Sequence, residues 1–369
     1  MRGYIASYTR HSVDGRGNGE GITAIAFDPA TGRIAAGKVY PGASPSWLTI
    51  APDGRHAYTV NEIADFAGTH QGSVTAYAIE GDGALLPLNA VASGGALPAH
   101  CTVHPGGHYV LVANYAGGHL AVLPIHPDGS LAEATDVKAP SGTAGPTVAA
   151  HAPPGSFAWS GHDASHAHMI AADPSQRFVL SNDLGADLTH VWTLDATGVL
   201  KPHDPPLIVA ASAGAGPRHF AFHPNGRVFY NLYEEASELA VYAWDAPKGT
   251  ASLLQCAPTL PEGYAGSSFA SAIAIQADRR FLYTANRLHN SIAIFAMRDD
   301  GRVRLVDNEW TRGDYPNHIA LDPTGSFLIA CNRRSDQVTT FRVDRTTGAL
   351  RFTGQYFALG SPNMTVFAA

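Results

Sequence analysis

An all-β chain folded as a seven-bladed β-propeller, with four antiparallel strands per blade, is predicted from three observations. A hairpin signal recurs at intervals of about one blade. A second turn signal recurs between its occurrences. The last strand repeats the motif of the strands that open the other units, so it completes the first blade and closes the ring. The whole of 1–369 then forms one domain.

The clearest hairpin runs from Gly216 to Glu234. Apolar and aromatic residues flank the turn Pro224-Asn225-Gly226, which is strong hairpin chemistry. Comparable turns begin at Pro52, Pro105, Pro174, Ala277 and Pro323, with successive gaps of 53, 69, 50, 53 and 46 residues. Nine residues beyond the six origins stand Asn61, Asn114, Asp183, Tyr233, Asn286 and Asn332. An Asn or Asp ending a strand can cap the next turn with its own side chain.

The second signal is an acidic-to-glycine turn after an apolar strand. It occurs seven times: Asp28–Gly32, Gly81–Gly83, Pro127–Gly129, Asp195–Gly198, Asp245–Gly249, Asp299–Gly301 and Asp344–Gly348. Each unit therefore reads strand, turn, strand, loop, strand, turn, strand, which at about 40–50 residues is a propeller blade. The extra second-type turn has a simple origin. The chain begins with the later strands of a blade, and Ser361–Phe367 matches Tyr315–Leu321. Closing the ring with that strand leaves no open sheet edge. The gap of 69 marks an insertion over 139–164, rich in Pro, Gly, Ser, Ala and His, which reads as a loop over one face.

Composition agrees with this fold class and excludes others. With 45% hydrophobic residues the chain can bury a sizeable core, and 38 Gly with 25 Pro supply many turns. A net charge of −7 argues against a nucleic-acid partner. No apolar run is long enough for a membrane span, and Met1–Tyr8 enters a strand at once, so a cytoplasmic protein is expected. The three cysteines, Cys101, Cys256 and Cys331, suit a reducing compartment; Cys101 and Cys331 read as small buried hydrophobes. There is no Gly-x-Ser-x-Gly elbow and no HExxH, so no metal or cofactor is expected.

The candidate chemistry comes from register. The two strands of a hairpin bring the sixth residue before the origin and the tenth after it out at one end. The first class holds Ser46, Ala99, His168, Arg218, Ser271 and Asn317, with Asn363 from the closing strand; the second holds Glu62, Tyr115, Leu184, Glu234, Arg287 and Arg333. A scaffold need not gather ionisable groups at one mouth, whereas ligand sites are concave with convergent polar groups. Arg218 and Glu234 can also be read as an ion pair within one hairpin. His166 and His168 alternate along a strand and should point the same way. His100, His219 and His318 follow one position later and are expected to pack between blades.

These motifs resemble the lactonase family of seven-bladed propellers, which includes cycloisomerase-type 6-phosphogluconolactonases and carboxy-cis,cis-muconate cyclase. The resemblance spans the chain and rests on His166-Ala167-His168, Asn182–Asp187, Gly216–Pro224, Arg280–Arg287 and Leu321–Gly325. It implies a catalytic set of His168, Arg218, Glu234 and Arg287. Substrate contacts are expected from His166, Asn317, Arg333 and Glu62. The chain departs from the family at Gly161-His162, Ala272-Ile273 and Pro316-Asn317, where many members carry Arg-Gln, Glu-Ile and Pro-Arg. A missing Arg at 317 removes one anion contact.

The expected reaction is hydrolysis of a small anionic lactone of a sugar acid. It needs a base for the attacking water and positive charge for the oxyanion. Glu234 or His168 is the base, and Arg218 with Arg287 is the clamp. Cyclisation of a muconate-type diacid, or lactone isomerisation, is the alternative on the same face. A non-enzymatic binding scaffold is the alternative from another class.

Overall fold

The computed structural model describes residues 1–12, 15, 17–139, 142–148 and 161–368. It contains seven sheets of four antiparallel strands arranged as a ring, as the repeats predict. The first blade takes its innermost strand, Pro362–Phe367, from the chain's end; Arg2–Ser7, Gly21–Phe27 and Ile34–Pro41 follow outward. The other six innermost strands are Pro45–Ile50, Ala96–Val103, Ala167–Ala172, Pro217–Phe222, Phe269–Ile275 and Pro316–Leu321. They open blades two to seven in chain order. Closure is an antiparallel pairing, with Tyr4 opposite Val366 and, beyond one bulge, Ser7 opposite Pro362.

The core lies between blades. One cluster joins Tyr4 and Ile22 of the first blade to Leu48, Ala57 and Tyr77 of the second. Another joins Phe229, Tyr233 and Tyr242 of the fifth blade to Phe178, Leu180 and Val191 of the fourth. A single blade has two apolar faces and can bury neither alone, so the ring is the smallest unit that hides them all.

A tyrosine repeat fastens neighbouring blades. Tyr4, Tyr58, Tyr230 and Tyr283 hold the same position in their hairpins. Each donates its hydroxyl to a glycine carbonyl in a turn of the next blade: Gly83 (2.7 Å), Gly129 (3.0 Å), Gly301 (2.9 Å) and Gly348 (3.0 Å). Those glycines have φ of +85°, +86°, +84° and +76°, which explains why the acidic-to-glycine turns end as they do.

Of the insertion, 139, 142–148 and 161–164 are described; 140, 141 and 149–160 lie outside the described residues. Gly145 donates its amide to the Gly185 carbonyl, which seats this part of the insertion on the fourth blade.

Candidate active site

The innermost strand of every blade carries a β-bulge at one place. Pro217 pairs with Tyr233 and His219 with Leu232, so Arg218 has no opposite partner. The same irregularity leaves Ser46, Ala99, His168, Asn317 and Asn363 unpaired, and sets Ser271 and Ala272 against a single residue. These are the candidate residues that precede each turn by six. An extra residue breaks the period-two alternation of a strand. In blades two, three, five and seven the residue after the unpaired one, Trp47, His100, His219 and His318, then reaches the central channel as well.

This corrects the expectation for His100, His219 and His318. They do not pack between blades but converge in the channel on Trp47, which holds the same position in the second blade. The Trp47 ring lies 4.5, 5.1 and 5.3 Å from those of His100, His219 and His318. His219 also lies 5.1 Å from His168. The four rings fill the channel beneath the mouth. Burial first, and the Arg218 charge second, push His100 and His318 down to about 3, so both are neutral.

Above this plug lies a cavity of about 180 Å³, lined by His168, Arg218, Glu234 and Arg287 on one side and Tyr8, Glu62 and Arg333 on another. Asn317, Asn363, Ala99, Tyr115, Tyr315, Trp47 and His219 complete its wall. Drug-sized pockets run to roughly 300–1,000 Å³, so this one suits a ligand of about one ring.

The bulge residues tie the mouth together from blade to blade. Arg218 donates to the Ser271 carbonyl, and Ser271 donates its hydroxyl to the Pro316 carbonyl at 2.7 Å. Asn317 donates to the Asn363 side chain, and Asn363 to the Ser46 carbonyl at 2.5 Å. Ser46 donates to the Pro98 carbonyl at 3.5 Å. Ala99 has no polar group to continue the series. His168 follows, and its buried Nδ1 has no hydrogen-bond partner among the described residues.

Glu234 is the electrostatic centre. Its Oε2 lies 2.7 Å from Arg218 Nε and 2.5 Å from Arg287 Nη2, and these side chains are 10%, 6% and 8% exposed. The pair expected within one hairpin is thus a three-residue clamp across two blades. Burial and then the neighbouring Arg287 charge push Arg218 down to about 10, which leaves it a cation at neutral pH. Burial acts in the same sense on Arg287, but Glu234, Tyr315 and Glu235 together outweigh it and raise that group. Arg287 further donates Nη1 to the Tyr315 hydroxyl at 3.4 Å and lies over that ring. His168 is neutral, because burial and then Arg218 push it well below its ordinary value.

On the second wall Tyr8 donates its hydroxyl to Glu62 Oε2 at 2.6 Å, and the Arg333 guanidinium stacks over the Tyr8 ring at 4.0 Å. Burial first raises Glu62, against hydrogen bonds from Tyr8 and Ser46 and the charges of Arg333 and Arg218.

Seven of the eight candidate residues therefore share one cavity. His166 is the exception. It stacks on Tyr115 with ring centroids 4.3 Å apart, and its ring nitrogens face the Tyr115 carbonyl (2.9 Å) and Asp163 (2.7 Å). The bulge between Ala167 and Met169 removes the alternation that was to align it with His168.

Tyr8 was missed, although the register contained it. Pairing of Ser7 with Pro362 matches that of Tyr233 with Pro217, so Tyr8 is the first blade's counterpart of Glu234. Asp187 carried no signal of its own. It accepts from the Gly214 amide (2.6 Å) and the Gly216 amide (2.9 Å), and lies 3.1 Å from His162 Nε2. It thereby holds the loop that leads into Arg218. Next to Glu234, Glu235 is buried, and neither carboxylate oxygen has a hydrogen-bond partner among the described residues; burial, and then the Glu234 charge, push it up to about 8.

A cavity of this kind holds two separate carboxyl groups, three guanidiniums and two neutral imidazoles at the closed end of a propeller channel. Among the described residues no three His, Cys, Asp or Glu side chains are grouped to hold a metal ion, and no helix is long and apolar enough to cross a membrane. Fold and site together define a propeller with a small, polar, cationic ligand cavity at its axis. The chain belongs to the lactonase family of seven-bladed β-propellers, whose family model matches residues 2–367. It is 30% identical over 351 residues to a 6-phosphogluconolactonase of Bacillus subtilis, covering 94% of this chain and 93% of that protein. It is 30% identical over 319 residues to one from Pectobacterium carotovorum, covering 86% of each. A periplasmic gluconolactonase of Pseudomonas aeruginosa superposes with a TM-score of 0.89 at 30% identity, over 100% of this chain and 99% of that one.

Proposed function

We propose that the protein hydrolyses the lactone of a sugar acid in the Trp47-floored cavity. The observation that carries this reading is the Glu234 clamp, which aims two guanidiniums from adjacent blades into a cavity that also presents a neutral imidazole. Family membership supports it, as do the names of the relatives.

The chemistry follows from charge. As water adds to the lactone carbonyl, negative charge grows on the carbonyl oxygen. Arg218 and Arg287 are already ordered by Glu234, so little reorganisation accompanies its stabilisation. The attacking water must lose a proton. Of the two expected bases, His168 suits the task better. A neutral imidazole always keeps one ring lone pair, and no side chain or backbone group among the described residues hydrogen-bonds His168 Nδ1. Glu234 has one oxygen shared by two cations and acts as the anchor of the clamp.

A non-phosphorylated sugar-acid lactone fits the charge inventory. Glu234 neutralises one of the two guanidinium charges on its wall, Arg333 stacks on Tyr8, and Asn317 stands where many family members carry Arg. The cytoplasmic expectation stays part of this reading, since Cys101, Cys256 and Cys331 are all unpaired.

The test is a panel of gluconolactone, its 6-phosphate and carboxymuconate, followed for ring opening and ring closure. Opening of gluconolactone is expected, with the phosphate a poorer substrate. Closure of the muconate alone would favour the cycloisomerase reading. Activity on none, with the protein folded, would favour a binding scaffold.

A further inference from the structure

Hydrolysis of a lactone raises a second proton problem. When the tetrahedral intermediate collapses, the ring oxygen leaves as an alkoxide, a poor leaving group unless it is protonated. The arginines of the clamp stabilise charge but do not give up protons at neutral pH. A proton donor must therefore stand at another part of the wall.

We propose that Glu62, hydrogen-bonded to Tyr8, is the acid that protonates the leaving ring oxygen. The role rests on the hydrolytic reading above. Three observations carry it. Glu62 and Tyr8 both line the cavity that holds His168 and the Glu234 clamp. Their oxygens are 2.6 Å apart, so a proton can pass between them. The two cavity carboxyl groups also have unlike surroundings: Glu234 is gripped by two guanidiniums, whereas Glu62 accepts the Tyr8 hydroxyl. Unlike settings for two carboxyl groups in one site are the pattern that separates an acid from its ionised neighbour. Burial favours the protonated form of Glu62, and Tyr8 is raised well above its ordinary value by burial and then by the Glu62 charge, so both can hold protons.

The step balances. Water forms the new C–O bond and passes one proton to His168. The ring C–O bond breaks, its electron pair goes to the ring oxygen, and that oxygen takes the proton of Glu62. The His168 proton returns through solvent to the Glu62 carboxylate, and the product is the open hydroxy acid.

The experiment compares two lactones that differ in leaving group. Gluconolactone expels an alkoxide; dihydrocoumarin expels a phenoxide, which needs little help. Glu62→Gln is expected to lower kcat on gluconolactone by about 10²–10⁴-fold while changing dihydrocoumarin turnover only a few-fold. Tyr8→Phe should show the same selectivity with a smaller loss. Thermal melting of both variants separates a folding defect from a chemical one. If the wild type rejects dihydrocoumarin, the pH profile decides. The groups facing Glu62 are Tyr8, Ser46, Arg333 and Arg218. The wild-type kcat should fall on the alkaline side as Glu62 loses its proton, and Glu62→Gln should lack that fall. Equal losses on both lactones, or an alkaline limb kept in Glu62→Gln, would overturn the role. Wild-type inactivity on every lactone would remove the proposed hydrolysis itself, and this role with it.

Discussion

Glu234 of the fifth blade lies 2.5 Å from the Arg287 guanidinium of the sixth, so one carboxylate spans the seam between two sheets. The same oxygen holds Arg218 at 2.7 Å. The clamp is therefore both a seam of the ring and a wall of the cavity.

Replacing Glu234 by Gln tests that double role. It leaves two buried guanidiniums facing each other without a counter-charge. Removing one partner of a buried ion pair costs about 3–5 kcal/mol. A clear drop in the thermal midpoint is expected along with loss of turnover. An unchanged midpoint with full activity would show that the clamp is neither seam nor site.

His168→Gln separates base from anchor. The side chain keeps polarity and near-equal reach, and no hydrogen bond of Nδ1 to a described residue is lost. The thermal midpoint should stay within a few degrees while kcat on gluconolactone falls by about 10²–10⁴-fold. If Glu234 is the base instead, His168→Gln retains substantial activity.

The channel plug predicts acid sensitivity. His100 and His318 sit near 3 in the folded protein against an ordinary 6.5. The unfolded chain then binds more protons, so their contribution to stability is complete above about 6.5 and is lost as pH falls towards 3. Each group adds a slope of about 1.4 kcal/mol per pH unit inside that window. Urea titrations between pH 7 and pH 4 should show the midpoint falling, and His318→Gln should flatten the trend.

Glu235 predicts the opposite sign. Its folded value near 8 lies above the ordinary 4.5, so its contribution is complete below about 4.5 and is lost as pH rises through 8. Glu235→Gln places a neutral amide where the protonated acid stood. The variant should match the wild type in urea at pH 5 and exceed it at pH 9. A wild type equally stable at both would contradict a buried, ionising Glu235.

The blades, their number and the closing strand were legible because turn chemistry is local. Pro-Asn-Gly and Asp-to-Gly turns need only neighbouring residues, and their repetition counts the blades. Seven candidate side chains were brought to one cavity by the same register, which depends on hairpin pairing alone. What escaped was everything that depends on the ring. The bulge that turns both Arg218 and His219 inward is a feature of curvature at the axis, and it moved His166 out of the cavity and His100, His219 and His318 into the channel. Tyr8 entered the site only when the last strand met the first. That Glu234 binds Arg287 as well as Arg218 was decided by the distance between two blades, and distances across a seam are set by packing rather than by any segment of sequence.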